Sequence, residues 1–314
     1  MPTSRFIRDN KQQLGAFVCL CVVFLGLSLY DPVIYDPNNV LNIGKQASIN
    51  LIISLGMTVV ILAGGIDLSV GSLIALAVVI TARLNNVDEI NIWVSMAIAC
   101  GCTVVFGVIN GMIIQFGRVP AFVATLGTMG IARGLVLNIG QGHPGMSFPP
   151  EVLYLADGTI FHLPIPIWIA IVTTAAVWLL LNYTVAGRGF FALGGNEEAA
   201  RLSGISIARA RILPYVISAV CCAIAGIVFA ARVGAAPPGA GQGYELNAIA
   251  AVVIGGTPLT GGHGRLIGTA IGALLIAVIQ NGLTILNVDP YWHGMTVGAI
   301  IVVAVMISNL KKAR

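Results

Sequence analysis

Residues 48–83 read SINLIISLGMTVVILAGGIDLSVGSLIALAVVITAR, two apolar runs (48–63 and 68–83) joined by the short reversal Gly64-Gly65-Ile66-Asp67. Neither run carries a charge before Arg83. A helix needs about 20 apolar residues to cross a hydrocarbon core of about 30 Å, so this stretch reads as two consecutive membrane crossings with a tight turn between them. The rest of the chain agrees. Of its 314 residues 57% are hydrophobic and 9% charged, whereas soluble domains carry about 25% charged residues. The mean hydropathy is +0.95. A net charge of +4 from 16 basic and 12 acidic residues is too small for a phosphate-binding face. Cytosolic enzymes, disordered chains and nucleic-acid binders are excluded.

Working outward, further apolar runs lie at 14–30, 92–116, 120–139, 166–185, 212–232, 246–257, 266–286 and 293–309. The expected fold is an all-α polytopic membrane protein with about ten transmembrane helices, one domain over residues 1–314. The first run follows Arg5, Arg8 and Lys11 and has no small-residue cleavage site before Asp31-Pro32; it reads as an uncleaved span. The eighth run is short, so it is expected to be tilted, re-entrant or extended by a neighbouring loop. Basic residues favour the cytoplasmic side. With the N-terminus inside, the inner segments hold Arg5, Arg8, Lys11, Arg118, Arg188, Arg201, Arg209, Arg211, Arg265, Lys311, Lys312 and Arg314. Outside lie Lys45, Arg83 and Arg232, with Asp31, Asp36, Asp88, Glu89, Glu151, Asp157, Glu245 and Asp289. Both termini are therefore expected to be cytoplasmic.

Catalytic and metal chemistry find no support. There is no GxxxxGK[ST] phosphate loop, no HExxH and no CxxC, and the histidines His143, His162, His263 and His293 are scattered. No catalytic residue, metal site or cofactor is expected. The six cysteines all fall in apolar runs and read as packing residues. Asp67 is placed at the inner end of the second span and Glu245 at the outer end of the eighth, so no buried carboxylate relay of the kind an ion-coupled carrier uses is evident. Arg133, within the fifth span, is expected to snorkel outward or to pair between helices, the alternative being to line a pathway. Four glycine pairs at helical spacing, Gly107/Gly111, Gly130/Gly134, Gly268/Gly272 and Gly294/Gly298, suit close helix packing in lipid.

Two segments stand apart from ordinary loops. The first is the reversal with Gly64, Gly65, Asp67, Ser69 and Gly71, where Asp67 or Ser69 is expected to cap the next helix. It recurs 191 residues later around Gly255 and Gly256, with Gly64 matched to Gly255 and Gly65 to Gly256, as in an internal repeat. The second is the internal cytoplasmic segment 186–211. Within it Asn196-Glu197-Glu198-Ala199-Ala200-Arg201-Leu202-Ser203-Gly204 reads as a two-turn helix with Asn196 as N-cap, an acidic first turn and Gly204 as the stop. Ala199, Leu202 and the following Ile205 are left to contact something. Such a helix is either a solvated linker or a docking element for a cytoplasmic partner.

Four runs in order, GGIDLSVGS, Gly117–Thr128 (GRVPAFVATLGT), ALGGNEEAARLSGI and GYELNAIAAVVIGG, resemble the monosaccharide (ribose-type) permeases of bacterial ATP-binding-cassette importers, within the branched-chain amino acid/sugar permease family. The similarity runs from about Asn38 to Lys311. It implies a multi-pass subunit of the bacterial inner membrane that moves a pentose or hexose inward by alternating access. It further implies a cytoplasmic ATPase that binds the ATP, an extracytoplasmic sugar-binding protein and a second permease subunit, identical or not. The coupling helix of the family maps onto Glu197 to Gly204, preceded here by Asn196. Candidate pathway residues are the uncharged polar groups within spans: Asn50, Ser54, Thr58, Asn110, Thr125, Thr128, Gln280, Asn281 and Thr284. Interhelical hydrogen bonding is the other reading of each. A polyol or furanone-type solute, or an ion-coupled carrier, are the rival readings of function.

Overall fold

The structure, a computed structural model, describes residues 11–140 and 146–312. Arg5, Arg8, His143 and Arg314 lie outside them. The chain is helical almost throughout: α1 (Lys11–Tyr30), a 3₁₀ turn (Pro32–Tyr35), α2 (Pro37–Leu62), α3 (Val70–Asn86), α4 (Ile92–Phe116) and α5 (Ala121–Gly140). There follow α6 (Pro150–Asp157), a two-stranded hairpin of β1 (Thr159–Ile160) and β2 (Leu163–Pro164), α7 (Ile165–Tyr183), α8 (Val185–Gly195) and α9 (Glu197–Leu202). The last are α10 (Ile207–Val233), α11 (Tyr244–Ile254), α12 (Leu266–Ile285) and α13 (Pro290–Lys312). Among the described residues seven helices (α1, α2, α4, α5, α7, α10 and α12) are long and apolar enough to cross a membrane. Three more apolar stretches, Val70–Asn86, Tyr244–Ile254 and Trp292–Val303, are shorter. The ten apolar runs therefore each meet a helix.

Where the boundaries differ, side-chain chemistry explains it. α2 starts at Pro37, well before residue 48, because Asp36 accepts from the Asn38 amide and Pro37 occupies the first turn. Its polar early turns are matched by partners: Asn39 bonds Asn281, Gln46 donates to Gln280 at 2.8 Å, and Lys45 pairs with Asp157 at 3.2 Å. A hydropathy run does not register a helix whose polar groups are satisfied across a seam.

α2 is the axis of the bundle. Its apolar window is 78% buried, against 11% for α1, and Ile49, Ile52, Leu55, Val59 and Leu62 are wholly enclosed. α10, α11 and α12 pack around it, while α1, α5 and α7 expose apolar side chains such as Val22, Ile131 and Val172, as a lipid-facing or subunit-facing perimeter does. The glycine pairs divide accordingly. A Cβ on Gly107 would lie 2.6 Å from the Tyr215 carbonyl oxygen, and one on Gly272 would overlap that of Ala251, so these pairs seat α4 on α10 and α12 on α11. Gly130, Gly134, Gly294 and Gly298 face open space. Cys221 and Cys222 are buried packing residues.

The approach to the eighth apolar run is not helical. After α10 the chain runs without helix from Gly234 to Gly243 and only then forms the eleven-residue α11. Glu245, expected at an outer end, instead lies beside Gly71 in the first turn of α3: a Cβ on Gly71 would overlap both the Glu245 carboxylate and the Gly241 carbonyl. The non-helical segment before α11 places Gly241 and Glu245 against the first turn of α3. Arg133 is tied into the fold by a contact that is not interhelical: its Nη1 donates to the Ala240 carbonyl of this non-helical segment at 2.8 Å.

Candidate functional site

The segment around α9 has the local structure its residues dictate. The Asn196 side chain accepts from the Ala199 amide at 2.9 Å, capping one of the orphan N–H groups of the first turn. Gly204 is left-handed at φ 77°, and the amides of Gly204 and Ile205 return to the carbonyls of Arg201 and Ala200, a Schellman stop. Glu197 pairs with Arg211 of α10, whose guanidinium also donates to Gln115. Glu198 pairs with Arg201 on the surface, and the Ser203 hydroxyl closes onto the Ala199 carbonyl. Ala200 is buried and Ile205 packs against the apolar cluster that contains Phe190, Leu193 and Ala210, so Ile205 belongs to the support and not to the free face. That face consists of Ala199 and Leu202, the latter 81% exposed. Beside it, between α8 and α10, a cleft of ≈ 780 Å³ is lined by Val185, Arg188, Phe190, Arg209 and Leu213 among others.

Immediately before α9, three glycine-bearing segments meet backbone to backbone. The Gly262 amide donates to the Leu62 carbonyl at 3.0 Å. A Cβ on Gly194 would overlap that same carbonyl oxygen and lie 2.6 Å from the Gly262 nitrogen; one on Gly262 would lie 2.7 Å from the Gly195 Cα. The reversal at Gly64, the end of α8 and the loop after α11 are thus in direct contact with no side-chain layer between them. Both reversals end their helices alike. Gly64 at φ 81° and Gly256 at φ 93° are the left-handed residues, with the amides of Gly65 and Thr257 reaching back to the carbonyls of Val60 and Val252. Structurally Gly64 therefore matches Gly256 and not Gly255, one residue off the sequence alignment. Gly255 is needed for another reason: its backbone lies against Gly268 of α12.

Asp67 does not cap α3 in the expected way, and Ser69, the N-cap, makes no side-chain cap bond. The Asp67 carboxylate is fully buried and accepts from the Ser69 amide at 3.0 Å, from the Ser69 hydroxyl and, across the bundle, from the Ser218 hydroxyl at 2.9 Å. The Ser69 hydroxyl accepts from the Asn110 amide group at 3.0 Å, and Thr128 donates to Asn110 at 2.6 Å. Thr125 donates to the Ile66 carbonyl and to Ala121. This network ties the reversal to α4, α5 and α10.

Most of the candidate pathway residues bond between helices, and a few only within their own. Asn110, Thr125 and Thr128 belong to the Asp67 network, Thr58 meets Thr269 at 2.8 Å, and Ser54 bonds the Asn50 carbonyl. Gln280 and Asn281 form the seam with α2, while exposed Thr284 bonds only the Gln280 carbonyl within its own helix. Asn50 is the exception: buried, with neither side-chain polar atom hydrogen-bonded. Among the described residues no group of three or more His, Cys, Asp and Glu could hold a metal ion.

Comparison with known proteins adds the following. Residues 39–305 match the family described as branched-chain amino acid transport system, permease component. The ribose import permease protein RbsC of Escherichia coli (strain K12) is 39% identical over 314 residues, 99% of this chain and 96% of that protein. The galactose/methyl galactoside import permease protein MglC of the same strain is 37% identical, covering 96% of this chain and 95% of that protein. The D-allose transport system permease protein AlsC of that strain is 35% identical, covering 94% of this chain and 90% of that protein. No solved structure matches the chain.

Proposed function

The chain belongs to the family of branched-chain amino acid transport system permease components, and from that premise we propose that it is the membrane-spanning subunit of an ATP-driven importer that carries a monosaccharide inward. Near-full-length identity to import permeases whose names specify ribose, galactose and allose supports an aldose over a polyol, a furanone or an ion-coupled solute. The chain itself is not an enzyme. It sits in the bacterial inner membrane with both termini cytoplasmic, beside a second permease subunit, and an extracytoplasmic binding protein delivers the sugar.

The observation that carries the coupling to a motor is α9: a short helix with a closed cap at each end, anchored through Ala200 and Arg211, that holds Leu202 out where none of the described residues covers it. A cytoplasmic ATPase that grips this helix supplies the differential energy between inward- and outward-facing states. The test is co-expression with the ATPase. Glu198→Ala with Arg201→Glu is expected to abolish its co-purification while the chain still inserts, because this ion pair is exposed on both sides and such pairs add little to stability. An ATPase that still co-purifies with the double variant overturns the docking role of α9. Uptake by proteoliposomes of this chain alone, collapsing with an uncoupler, overturns the ATP-driven reading.

A further inference from the structure

The non-helical segment before α11 exposes polar groups where lipid tolerates none. Three left-handed glycines, Gly234, Gly241 and Gly243, with Pro237 and Pro238 keep residues 234–243 out of helix. The depth of this segment follows from its contacts. Gly241 lies against Gly71 and Ile74 of α3, and Ile74 in turn lies against Gly226 of α10. At a rise of about 1.5 Å per residue, Ile74 is about 18 Å from the Asn86 end of α3 and Gly226 about 10 Å from the Val233 end of α10. The segment descends into the bundle before α11 begins.

At that depth Pro238, Gly239 and Gln242 are exposed and Arg133 and Glu245 are half-buried. Arg133 donates to the carbonyls of Ala240 and Pro238, and Glu245 accepts from the Gly243 amide at 3.3 Å. On the neighbouring face of α5, Gly127, Gly130 and Gly134 are exposed with nothing against them. Irregular backbone inside a bilayer persists only where it is covered by protein or lines water, and ionisable groups there are costly and mark solute routes. Among the described residues nothing covers this patch, and an aqueous space is the surrounding that satisfies its polar groups.

We infer that Pro238–Glu245, with Arg133 behind it, forms a wall of the solute pathway, and that Gln242 and Glu245 hydrogen-bond the hydroxyl groups of the passing sugar. The inference rests on the chain being a sugar permease. The chemistry fits: a primary amide offers two donors and an acceptor, and a carboxylate is a pure acceptor, a pairing suited to adjacent hydroxyls. The bare glycine face of α5 leaves room for the sugar ring. None of these residues is in the set of uncharged polar positions that the spans suggest.

The experiment uses the complete importer, with ATPase and binding protein, in proteoliposomes, and D-ribose, D-galactose and D-allose as probes. Gln242→Cys, measured against the parent chain, is expected to react with a charged, membrane-impermeant thiol reagent, and a saturating transported sugar is expected to slow that reaction about tenfold. Gln242→Ala is expected to lower maximal uptake about tenfold with ATPase co-purification unchanged, whereas Val172→Ala on the exposed face of α7 leaves uptake as it was. Gln242→Cys that stays unreactive means that lipid or a second copy covers the patch, and overturns the inference. Reaction indifferent to sugar, or full uptake by Gln242→Ala, overturns it too. If the parent importer moves none of the three sugars, it is the substrate reading beneath the inference that fails, and the pathway assignment falls with it.

Discussion

Gly194→Ala is expected to reduce ATP-driven uptake at least about tenfold, and Gly195→Ala, one residue on, to leave it nearly intact. At Gly194 the new methyl would overlap the Leu62 carbonyl oxygen and press on the Gly262 nitrogen, whereas at Gly195 it meets nothing within 4 Å. Overpacking a tight contact costs about 1–3 kcal/mol, and here the obstacle is backbone on both sides, which has no rotamer to yield. The segments at Leu62 and Gly262 must part, breaking the hydrogen bond between them. Because Gly194 lies two residues before the cap of α9, the loss falls on the joint between α9, the proposed docking helix, and the adjoining ends of α2 and α12. About 1.4 kcal/mol at the limiting step is a factor of ten in rate. Initial uptake rates in proteoliposomes, with ATPase co-purification measured on the same samples, check this. Equal rates for the two variants would show that the glycine contact carries no motion.

Asp67→Ala is expected to cost the most stability of any single change considered. The carboxylate satisfies the Ser69 amide, the Ser69 hydroxyl and the Ser218 hydroxyl, all buried. Each buried polar group left unpaired costs about 1–3 kcal/mol, so the midpoint of thermal unfolding in detergent is expected to fall by about 10 °C. Ser218→Ala removes one donor together with its own need for a partner and is expected to cost about 1 kcal/mol. Asp67→Asn keeps one acceptor oxygen and should fall between them. A thermal scan of the three variants orders them, and an unchanged midpoint for Asp67→Ala would refute a structural role for the network.

Caps, stops and crossings were legible because their causes are local. Asn196 bonds an amide three residues away, Gly204 is required where the chain turns left-handed, and an apolar run of twenty residues declares itself without reference to any other segment. The same locality explains a small error. Gly255 and Gly256 were both visible as a reversal, yet which of them takes the left-handed position depends on the close approach of Gly268, a residue on the next helix.

The pathway was not legible in this way. A polar residue within a span carries the same letter whether it bonds a neighbouring helix or faces water. Asn110 and Thr128 became a hydrogen-bonded pair because α4 and α5 lie side by side, and Gln46 found Gln280 across 234 residues of chain. Glu245 read as an outer residue because counting spans assumes that each crossing is a straight helix, and the segment from Gly234 to Gly243 is not one.

Composition, hydropathy and capping residues by themselves determined that this protein is a helical membrane protein with a short capped helix at Asn196–Gly204, since desolvation and backbone hydrogen bonding act residue by residue or within one turn. Only the tertiary structure decided that Gly194 touches Leu62 and Gly262, that Glu245 lies against Gly71 of α3, and that Arg133 of α5 reaches the Ala240 carbonyl. Those facts depend on how far separate helices slide and tilt against one another, which many weak packing contacts set jointly.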